Sequence, residues 1–309
     1  MTSRQPVITR RALLGMAALV PLAGCADKAR TETRPPAGAV SPSATPTRDQ
    51  HGRLAELERK FDARLGVYAV ATGTGATIAY RADERFAFCS TFKGLAAAAV
   101  LHRHPLSHLD TVIRYTEDDL MTSSVITRRQ VDTGMTIRQL CDAAVRYSDG
   151  TAGNLLLRDL GGPDRLTAYV RGLGDPVTRM DRTEPTITQA IPGDPRDTTT
   201  PRAIRTDYQK ILLGDALPAD KRAFLRDLLE RNATAAGAQR IRAGIPRGWT
   251  VADKTGTGSY GTANDIAVAW PLNAAPLVIS IMSRKATKDA KYAQAMLAQA
   301  AAYVVGALA

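Results

Sequence analysis

The sequence predicts an α+β fold in which an antiparallel sheet is built from both chain ends, with flanking terminal helices and an inserted all-helical lobe. Three observations lead to this prediction. Runs of β-forming residues stand near both ends, the segments between them carry apolar residues at helical spacing, and a helical pattern lies next to each set of strands. This order places any chemistry in the cleft between the sheet and the lobe.

The elements follow from hydrophobic period and turn residues. Gly73-Thr74-Gly75 separates two β-rich runs and predicts a hairpin, while four consecutive alanines in a run that starts at Thr91 indicate a closely packed central helix. Helices are predicted over 51–63, 91–101, 137–146, 152–160, 163–173, 201–213, 218–231 and 289–308. Strands are predicted over 65–72, 77–80, 250–254, 266–270 and 277–282. The unpatterned stretch 175–200 is long enough to suggest a functional loop.

The first 25 residues have the features of an export signal. Arg10-Arg11 precedes an apolar run, 12–23, that is too short for a bilayer span of about 20 residues. Twin arginines are typical of the export route for folded proteins, and the ending Leu-Ala-Gly-Cys resembles the site where bacterial lipoproteins are cut and acylated. We therefore expect a signal peptide over 1–24 and an exported protein, either a cell-envelope lipoprotein with a lipid anchor on Cys25 or, after cleavage elsewhere, a secreted one.

Composition sets the domain organisation. Residues 25–50 are rich in Pro, Thr, Ser and Ala without hydrophobic period, so we expect a disordered tether. The rest, 51–309, is predicted to be one folded domain with an α/β lobe at about 51–89 and 236–309 and a helical lobe at about 90–235. In the whole chain of 309 residues, 44% are hydrophobic and 23% charged, as in ordinary globular proteins.

Several other partners and cofactors are not expected. Only 5% of the residues are aromatic, which argues against a base-stacking nucleic-acid binder although the net charge is +11. His102, His104 and His108 lie close together, but they follow a helix end in a polar stretch, and no metal site is predicted. The glycine pattern over 256–261 precedes a β-rich run and not a helix, so no dinucleotide cofactor is predicted.

Three short motifs carry the chemistry. Ser90-Thr91-Phe92-Lys93 stands where a helix begins, which places Lys93 on the same face as Ser90, one turn away. Ser148-Asp149-Gly150 and Lys254-Thr255-Gly256 follow in order. Each motif is weak alone, but together they mark serine β-lactamases and penicillin-binding proteins.

From about residue 50 to the C-terminus, the sequence resembles the class A serine β-lactamases. Arg182-Thr183-Glu184-Pro185, followed by Asp194 and Asp197, is similar to the omega loop that class A enzymes carry and transpeptidases lack. The form Ser-Asp-Gly and the basic stretch Arg240-Ile241-Arg242 are most similar to actinobacterial members of the mycobacterial type. The resemblance makes 51–309 the catalytic domain.

The resemblance implies hydrolysis of the β-lactam amide of penicillins and cephalosporins through a serine acyl-enzyme, without a cofactor. Ser90 would be the nucleophile, and either Lys93 or Glu184 the base in acylation. Ser148 would protonate the leaving nitrogen, Glu184 would activate the water that releases the acyl group, and Lys254 is a second cation. The backbone N–H groups of Ser90 and Thr257 would form the oxyanion hole.

Further residues are expected to bind the substrate or hold the site. Thr255, Thr257 and Arg240 are the expected set for the drug's carboxylate, with Arg242 as a less favoured neighbour of Arg240. The full expected substrate-binding set is Gly150, Thr188, Arg240, Thr255, Gly256 and Thr257. The expected structural residues are Asp149, Asn154, Arg182 and Asp197.

Three departures from the family pattern predict a wider cleft. Thr188 replaces an asparagine that helps Glu184 hold the hydrolytic water, Gly150 lacks an amide side chain, and Ser123 replaces a bulky side chain at the cleft mouth. We expect a broad substrate range, slowed deacylation of some drugs and reduced sensitivity to mechanism-based inhibitors. Cys89 and Cys141 lack evident partners and should be reduced and buried.

Two alternatives to a β-lactamase stay open at this point. One is a D-alanyl-D-alanine peptidase, against which Glu184 speaks, and the other is a non-catalytic penicillin-binding lipoprotein, which Thr188 keeps open. In each case the expected partners are β-lactam antibiotics and inhibitors, with a membrane contacted only through the lipid anchor. A monomer is expected.

Overall fold

The computed structural model describes residues 48–309, with side chains from Gly52 onward. The predicted signal peptide, Cys25 and most of the predicted tether lie outside the described residues. In the described part, no helix is both long enough and apolar enough to cross a bilayer.

A five-stranded antiparallel sheet forms the centre of the α/β lobe, with strand order β2-β1-β9-β8-β7. The first two strands come from the start of the described chain and the other three from its end, as predicted. The strands are β1 (Arg64–Ala71), β2 (Thr77–Tyr80), β3 (Phe86–Ala87), β4 (Val112–Ile113), β5 (Met135–Thr136), β6 (Thr198–Thr199), β7 (Thr250–Gly258), β8 (Thr262–Trp270) and β9 (Leu277–Arg284). Strand β7 is at the edge of the sheet and faces the helical lobe.

Eight of the nine α-helices in the described residues occupy predicted places, and the short helix at 235–239 was not predicted. They are α1 (Arg48–Phe61), α2 (Phe92–Arg103), α3 (Ile137–Arg146), α4 (Gly150–Leu160), α5 (Pro163–Gly172), α6 (Pro201–Leu212), α7 (Ala219–Glu230), α8 (Ala235–Gln239) and α9 (Gln294–Leu308). The local signals for helix starts are visible as caps: the side chains of Thr136, Asp149 and Thr200 each accept a hydrogen bond from a backbone N–H in the first turn of α3, α4 and α6.

Two hydrophobic cores lie on opposite faces of the sheet. Because side chains alternate along a strand, Ile266 and Val268 of β8 face the helical lobe, while Ala267 and Ala269 face the terminal helices α1 and α9. Helix α2 is buried along nearly its whole length, from Phe92 to Leu101, at the centre of the larger core. Its position fixes the N-terminal end of α2 against the sheet.

Three sequence-based boundaries were wrong by four or five residues. Strands β7 and β8 continue to Gly258 and from Thr262, because Thr255 to Gly258 pair with residues of β8 although their Gly and Thr content suggests a turn. The closing helix begins at Gln294 and not at residue 289. The preceding loop is bound to the β7–β8 turn, where the Tyr260 N–H donates to Lys288 O at 2.8 Å, and this tertiary contact takes the backbone out of the helix.

Candidate active site

A cleft of about 910 Å³ lies between the edge strand β7 and the helical lobe, where the sequence predicts the chemistry. All three motifs and the omega-loop acid contribute to its walls. The lining includes Ser90, Ser123, Ser148, Glu184, Thr188 and residues Thr255 to Ser259.

Ser90 lies in a short 3₁₀ turn, Cys89–Thr91, that leads directly into α2. One turn later, the buried Lys93 reaches back, and its Nζ donates to Ser90 Oγ at 3.0 Å and to Ser148 O at 2.8 Å. Sequence reasoning missed Gly153, where a Cβ would lie 2.8 Å from Lys93 Cε. This glycine on α4 therefore leaves the space that the lysine side chain needs.

Glu184 completes the group around the nucleophile. Ser90 Oγ donates to Glu184 Oε1 at 3.1 Å, and the same oxygen forms an ion pair with Lys93 Nζ at 2.7 Å. The serine hydroxyl is thus in direct contact with both groups that could take its proton.

The omega loop holds Glu184 by several polar contacts. The Asn154 amide donates to Glu184 O and accepts from Glu184 N, both at 3.0 Å, so one side chain of α4 fixes both backbone polar groups of Glu184. Arg182 Nε pairs with Asp197 Oδ2 at 2.5 Å, as predicted. Sequence reasoning missed Asp181, whose carboxylate accepts from the Asp197 N–H at 3.0 Å while Asp197 accepts from the Asp181 N–H at 2.8 Å.

Ser148 lines the cleft, and the fully buried Lys254 lies behind it. Lys254 Nζ donates to Ser148 Oγ and to Thr255 O, both at 3.0 Å. Burial first, and then the charge of Lys93, lower the pKa of Lys254 to about 7. Asp149 has the expected structural role, because its carboxylate accepts hydrogen bonds from the backbone N–H groups of Ile126, Thr127 and Ala152 and from the Thr127 hydroxyl.

Gly256 allows the edge strand to approach the start of α2. A Cβ at this position would lie 2.5 Å from Phe88 O and 3.2 Å from Thr91 N, so only glycine fits without displacement of the backbone. Sequence reasoning missed Asn264 of β8, whose amide donates to Ala87 O at 2.8 Å and to Phe88 O at 3.2 Å. Both residues bring the backbone of Thr257 close to Ser90.

The structure corrects the expected role of Arg240. Its guanidinium is fully buried behind β7 and does not line the cleft. It donates to Gly256 O and Asn264 O at 2.8 Å and to Thr257 Oγ1 at 2.7 Å. Arg240 therefore holds the strand and orients the Thr257 hydroxyl, which lies between it and the cleft.

Arg242, the less favoured neighbour, is also engaged away from the cleft. Its Nε pairs with Asp253 Oδ1 at 2.5 Å, and its Nη2 donates to the carbonyls of Leu229, Glu230 and Val251. Arg242 thus has a structural role.

The two described cysteines are free and buried, as predicted. Burial raises the pKa of both thiols, Cys89 and Cys141, to about 12, so neither is a reactive thiolate.

Comparison with known proteins agrees with this geometry. Residues 51–308 match the family described as the β-lactamase enzyme family. A β-lactamase of Mycobacterium tuberculosis is 55% identical over 306 residues, which cover 97% of both chains. The chain belongs to the β-lactamase enzyme family. A β-lactamase of Amycolatopsis lactamdurans is 54% identical over 87% of this chain and 89% of that protein.

Solved structures extend the comparison to the fold. The β-lactamase of Desulfarculus baarsii superposes with a TM-score of 0.81 at 47% identity, over 84% of this chain and 96% of that one. A halotolerant bacterial β-lactamase gives a TM-score of 0.80 at 49% identity, over 82% and 97%. This chain is a serine β-lactamase of class A and actinobacterial type, as the motifs predict, and it has the serine β-lactamase fold.

Two of the family departures interact in this β-lactamase. A Cβ at Gly150 would lie 2.3 Å from Ser123 Oγ, so the serine hydroxyl occupies space that a side chain at 150 would take. The space expected from Gly150 and the space expected from Ser123 are therefore partly the same space. The cleft is widened less than these two departures together predict.

Thr188, the third departure, is tied to the omega loop. Its hydroxyl donates to Pro185 O at 2.6 Å, and its carbonyl accepts from the Ser259 N–H at 2.9 Å. Thr188 lines the cleft, and with its proton used in this way its hydroxyl can act there only as an acceptor.

Proposed function

We propose that this β-lactamase opens the amide of penicillins and cephalosporins by attack of Ser90, and that Glu184 then directs water onto the resulting ester. One observation carries the proposal: Ser90 Oγ lies 3.0 Å from Lys93 Nζ and 3.1 Å from Glu184 Oε1. A hydroxyl needs an adjacent base to become a nucleophile, and here two candidates are within hydrogen-bond reach.

The contacts of Lys93 favour Glu184 as the base in acylation. An ammonium group has three N–H donors and no lone pair. Lys93 Nζ directs them at Ser90 Oγ, Ser148 O and Glu184 Oε1, at 3.0, 2.8 and 2.7 Å. Ser90 donates its own proton to Glu184. In this arrangement Glu184 takes the proton while charged Lys93 stabilises the developing alkoxide.

The rest of the cleft supports the later steps. The backbone N–H groups of Ser90 and Thr257 would bind the oxyanion, because the close approach at Gly256 brings the edge strand to the start of α2. Ser148, which receives a hydrogen bond from Lys254 at 3.0 Å, would pass its proton to the leaving nitrogen and take one from Lys254 in return. When the C–N bond breaks, this nitrogen becomes an amine that stays part of the ring-opened product. Before deacylation, Glu184 would release the Ser90 proton to solvent and Lys254 would regain one from solvent.

The carboxylate of the drug would be bound by hydroxyls and not by Arg240 itself. Thr255 and Thr257 both line the cleft, and the charge of Lys254 lies next to them. Arg240 acts as a positioning residue through its 2.7 Å hydrogen bond to Thr257 Oγ1.

In deacylation Glu184 would be the general base for water, with Thr188 as its neighbour. The Thr188 hydroxyl is already bonded to Pro185 O, so it offers water a lone pair but no proton. We propose slowed release of bulky acyl groups and reduced sensitivity to mechanism-based inhibitors. Tight clavulanate inhibition together with fast carbapenem turnover would contradict this part.

Turnover of the chromogenic cephalosporin nitrocefin by wild type and by Glu184→Gln tests the main proposal. We expect steady turnover by the wild type. The variant lacks the proposed base for both steps, so acylation should be slower than in the wild type, but release of the acyl group should stop. One acyl group per chain should therefore accumulate over a long incubation, detected by intact-mass spectrometry and located by digestion on the peptide containing Ser90. The matched control is Asp194→Asn, which removes another omega-loop carboxylate. Within the described part of the chain its hydrogen bonds all come from Arg196, and this variant should turn over normally.

The alternatives give different results in the same experiment. A single burst in both wild type and Glu184→Gln would indicate a drug-binding protein without turnover. Cleavage of a D-alanyl-D-alanine peptide without nitrocefin turnover would indicate a peptidase. An unmodified Ser90 peptide under every β-lactam would contradict the acyl-enzyme.

We propose that the protein is exported through the twin-arginine signal and lipidated on Cys25. We also propose that it acts as a monomer. The sequence Leu-Ala-Gly-Cys at 22–25 supports the anchor, and all the catalytic side chains named above come from one chain. Incorporation of a fatty-acid label into the wild type but not into Cys25→Ala would support lipidation, and equal labelling of both would contradict it.

A further inference from the structure

Two histidines and an aspartate meet on the surface of the helical lobe, away from the cleft. His104 directly follows α2, His108 lies in the next 3₁₀ turn, and Asp159 lies at the end of α4. Their ligand atoms all lie within 4.8 Å of one another. The sequence analysis set these histidines aside because they follow a helix end in a polar stretch. Asp159 lies 51 residues beyond His108, and only the packing of α2 against α4 brings it to them.

We propose that His104, His108 and Asp159 form a binding site for a transition-metal dication, with Zn²⁺ as the representative ion. Two imidazoles and one carboxylate are ligands that Zn²⁺ takes in proteins, with a fourth position open to solvent.

The distances between donors suit such an ion. Bond lengths of about 2.1 Å in a tetrahedral site place neighbouring ligand atoms about 3.4 Å apart. His108 Nε2 lies 3.1 Å from both carboxylate oxygens of Asp159, and His104 Nε2 lies 3.8 Å from Oδ2. A turn of the His104 ring, which now stacks on His108 at 3.9 Å between centroids, closes the remaining gap.

A second observation concerns the hydrogen bonding of the His104 ring nitrogen Nε2. Among the described residues, this buried nitrogen has no hydrogen-bond partner. A buried nitrogen without a partner carries a desolvation cost, and coordination of a metal would remove it.

The chain also supplies an outer contact and an access route. When His108 Nε2 binds the metal, its ring proton resides on Nδ1, which lies 3.5 Å from Thr111 Oγ1 and so has a hydroxyl nearby that can accept it. The side chains of His104 and His108 are 26% and 19% exposed, so an ion can enter from solvent. Two nearby cations, Arg103 and Lys221, are bound to the carbonyls of Leu160 and His104.

The site is independent of the β-lactam chemistry. Helix α2 has 12 residues, so it separates His104 from Ser90 by about 18 Å. Bound metal should stabilise the fold in proportion to its affinity and leave nitrocefin turnover unchanged.

The experiment uses the full chain, free of any histidine tag and of bound metal, titrated with Zn²⁺ by calorimetry and by thermal unfolding. We expect one equivalent to bind, and Tm to rise by about 5 °C when Zn²⁺ is at a hundred times Kd. His104→Gln and Asp159→Asn should each weaken the affinity at least about tenfold and lose the Tm rise measured against their own metal-free baseline.

His102→Gln is the matched control, because His102 is on the same helix end but contacts Ala216 O and not the cluster. It should bind Zn²⁺ as the wild type does, and Mg²⁺ should bind to none of these chains. Equal Zn²⁺ affinity of wild type and His104→Gln, or wild-type binding only at millimolar Zn²⁺, would overturn the proposal. Wild-type nitrocefin turnover by each variant verifies that it is folded.

Discussion

Two cavities of similar volume, about 910 Å³ for the active-site cleft and about 960 Å³ for one in the helical lobe, differ in the chemistry of their walls. At the cleft, buried Lys93 and Glu184 are paired next to Ser90, and buried Lys254 is hydrogen-bonded to Ser148. The second cavity, which includes Tyr169 and Lys210 in its lining, has no comparable group.

The buried groups next to the helical-lobe cavity are poorly satisfied. Among the described residues, neither the Tyr169 hydroxyl nor the carboxylate of Asp207 has a hydrogen-bond partner. Burial first, and then the nearby Asp175, raise the pKa of Asp207 to about 9. The comparison shows that a cavity's volume alone does not identify an active site. In the cleft, Lys93 and Glu184 both contact one serine hydroxyl, the arrangement that the proposed mechanism requires. For the buried acid of the lobe we expect an effect on stability only.

The largest expected effect tests whether catalysis depends on residues of the cleft and not on residues of the helical-lobe cavity. Ser90→Ala should lower kcat/KM for nitrocefin at least about 10⁴-fold, because it removes the nucleophile. Arg165→Ala, in the wall of the other cavity, should leave it unchanged. A loss of similar size in both variants, with both folded by circular dichroism, would contradict the distinction.

A smaller effect tests how Arg240 acts. If it works by orienting the Thr257 hydroxyl, Arg240→Lys and Thr257→Val should each lower kcat/KM for an anionic β-lactam about 10- to 100-fold, mainly through KM. The double variant should lose little more than either single one, because the two side chains form one interaction.

Two results would contradict this role of Arg240. One is full additivity of the two losses. The other is an equal loss with a β-lactam whose carboxylate is esterified, since that substrate has no charge to bind.

The next effect in size is a change of several fold in kcat/KM with pH. Lys254, with a pKa of about 7, is charged below that pH and neutral above it. As pH rises from 6 to 8, kcat/KM for anionic substrates should fall about 3- to 10-fold, as the positive charge beside Thr255 is lost. Lys254→Arg, which stays charged, should keep a flat profile over this range, and a wild-type profile equally flat would contradict the assignment.

The smallest expected effect is confined to stability. The folded-state pKa of Asp207, about 9, lies above its ordinary value of 3.8, so its contribution is fully present below about pH 4 and is lost as pH rises toward 9. Asp207→Asn cannot ionise, and relative to wild type its Tm should gain about 3 °C or more between pH 5 and pH 9. Turnover should not change; an equal decline of Tm in both chains would contradict the prediction.

Local patterns were sufficient for much of the fold and the site. The two-residue period of the strands and the caps of α3 and α6 depend on neighbours in sequence, and both were predictable. Boundaries were wrong where distant backbone decides them, as at Tyr260 and Lys288. Asn264 and Gly153 were missed because an isolated asparagine or glycine carries no signal of its distant contact.

By itself, the sequence determined that Ser90 and Lys93 share one face of a helix and that an acid-bearing omega loop follows, because helical spacing and motif order are properties of the chain. Only the tertiary structure decided that Arg240 lies behind the strand, that Ser123 occupies the space beside Gly150, and that Asp159 meets two histidines. The physical reason is that burial and contact between distant segments depend on how whole helices and strands pack, and no local pattern records that packing.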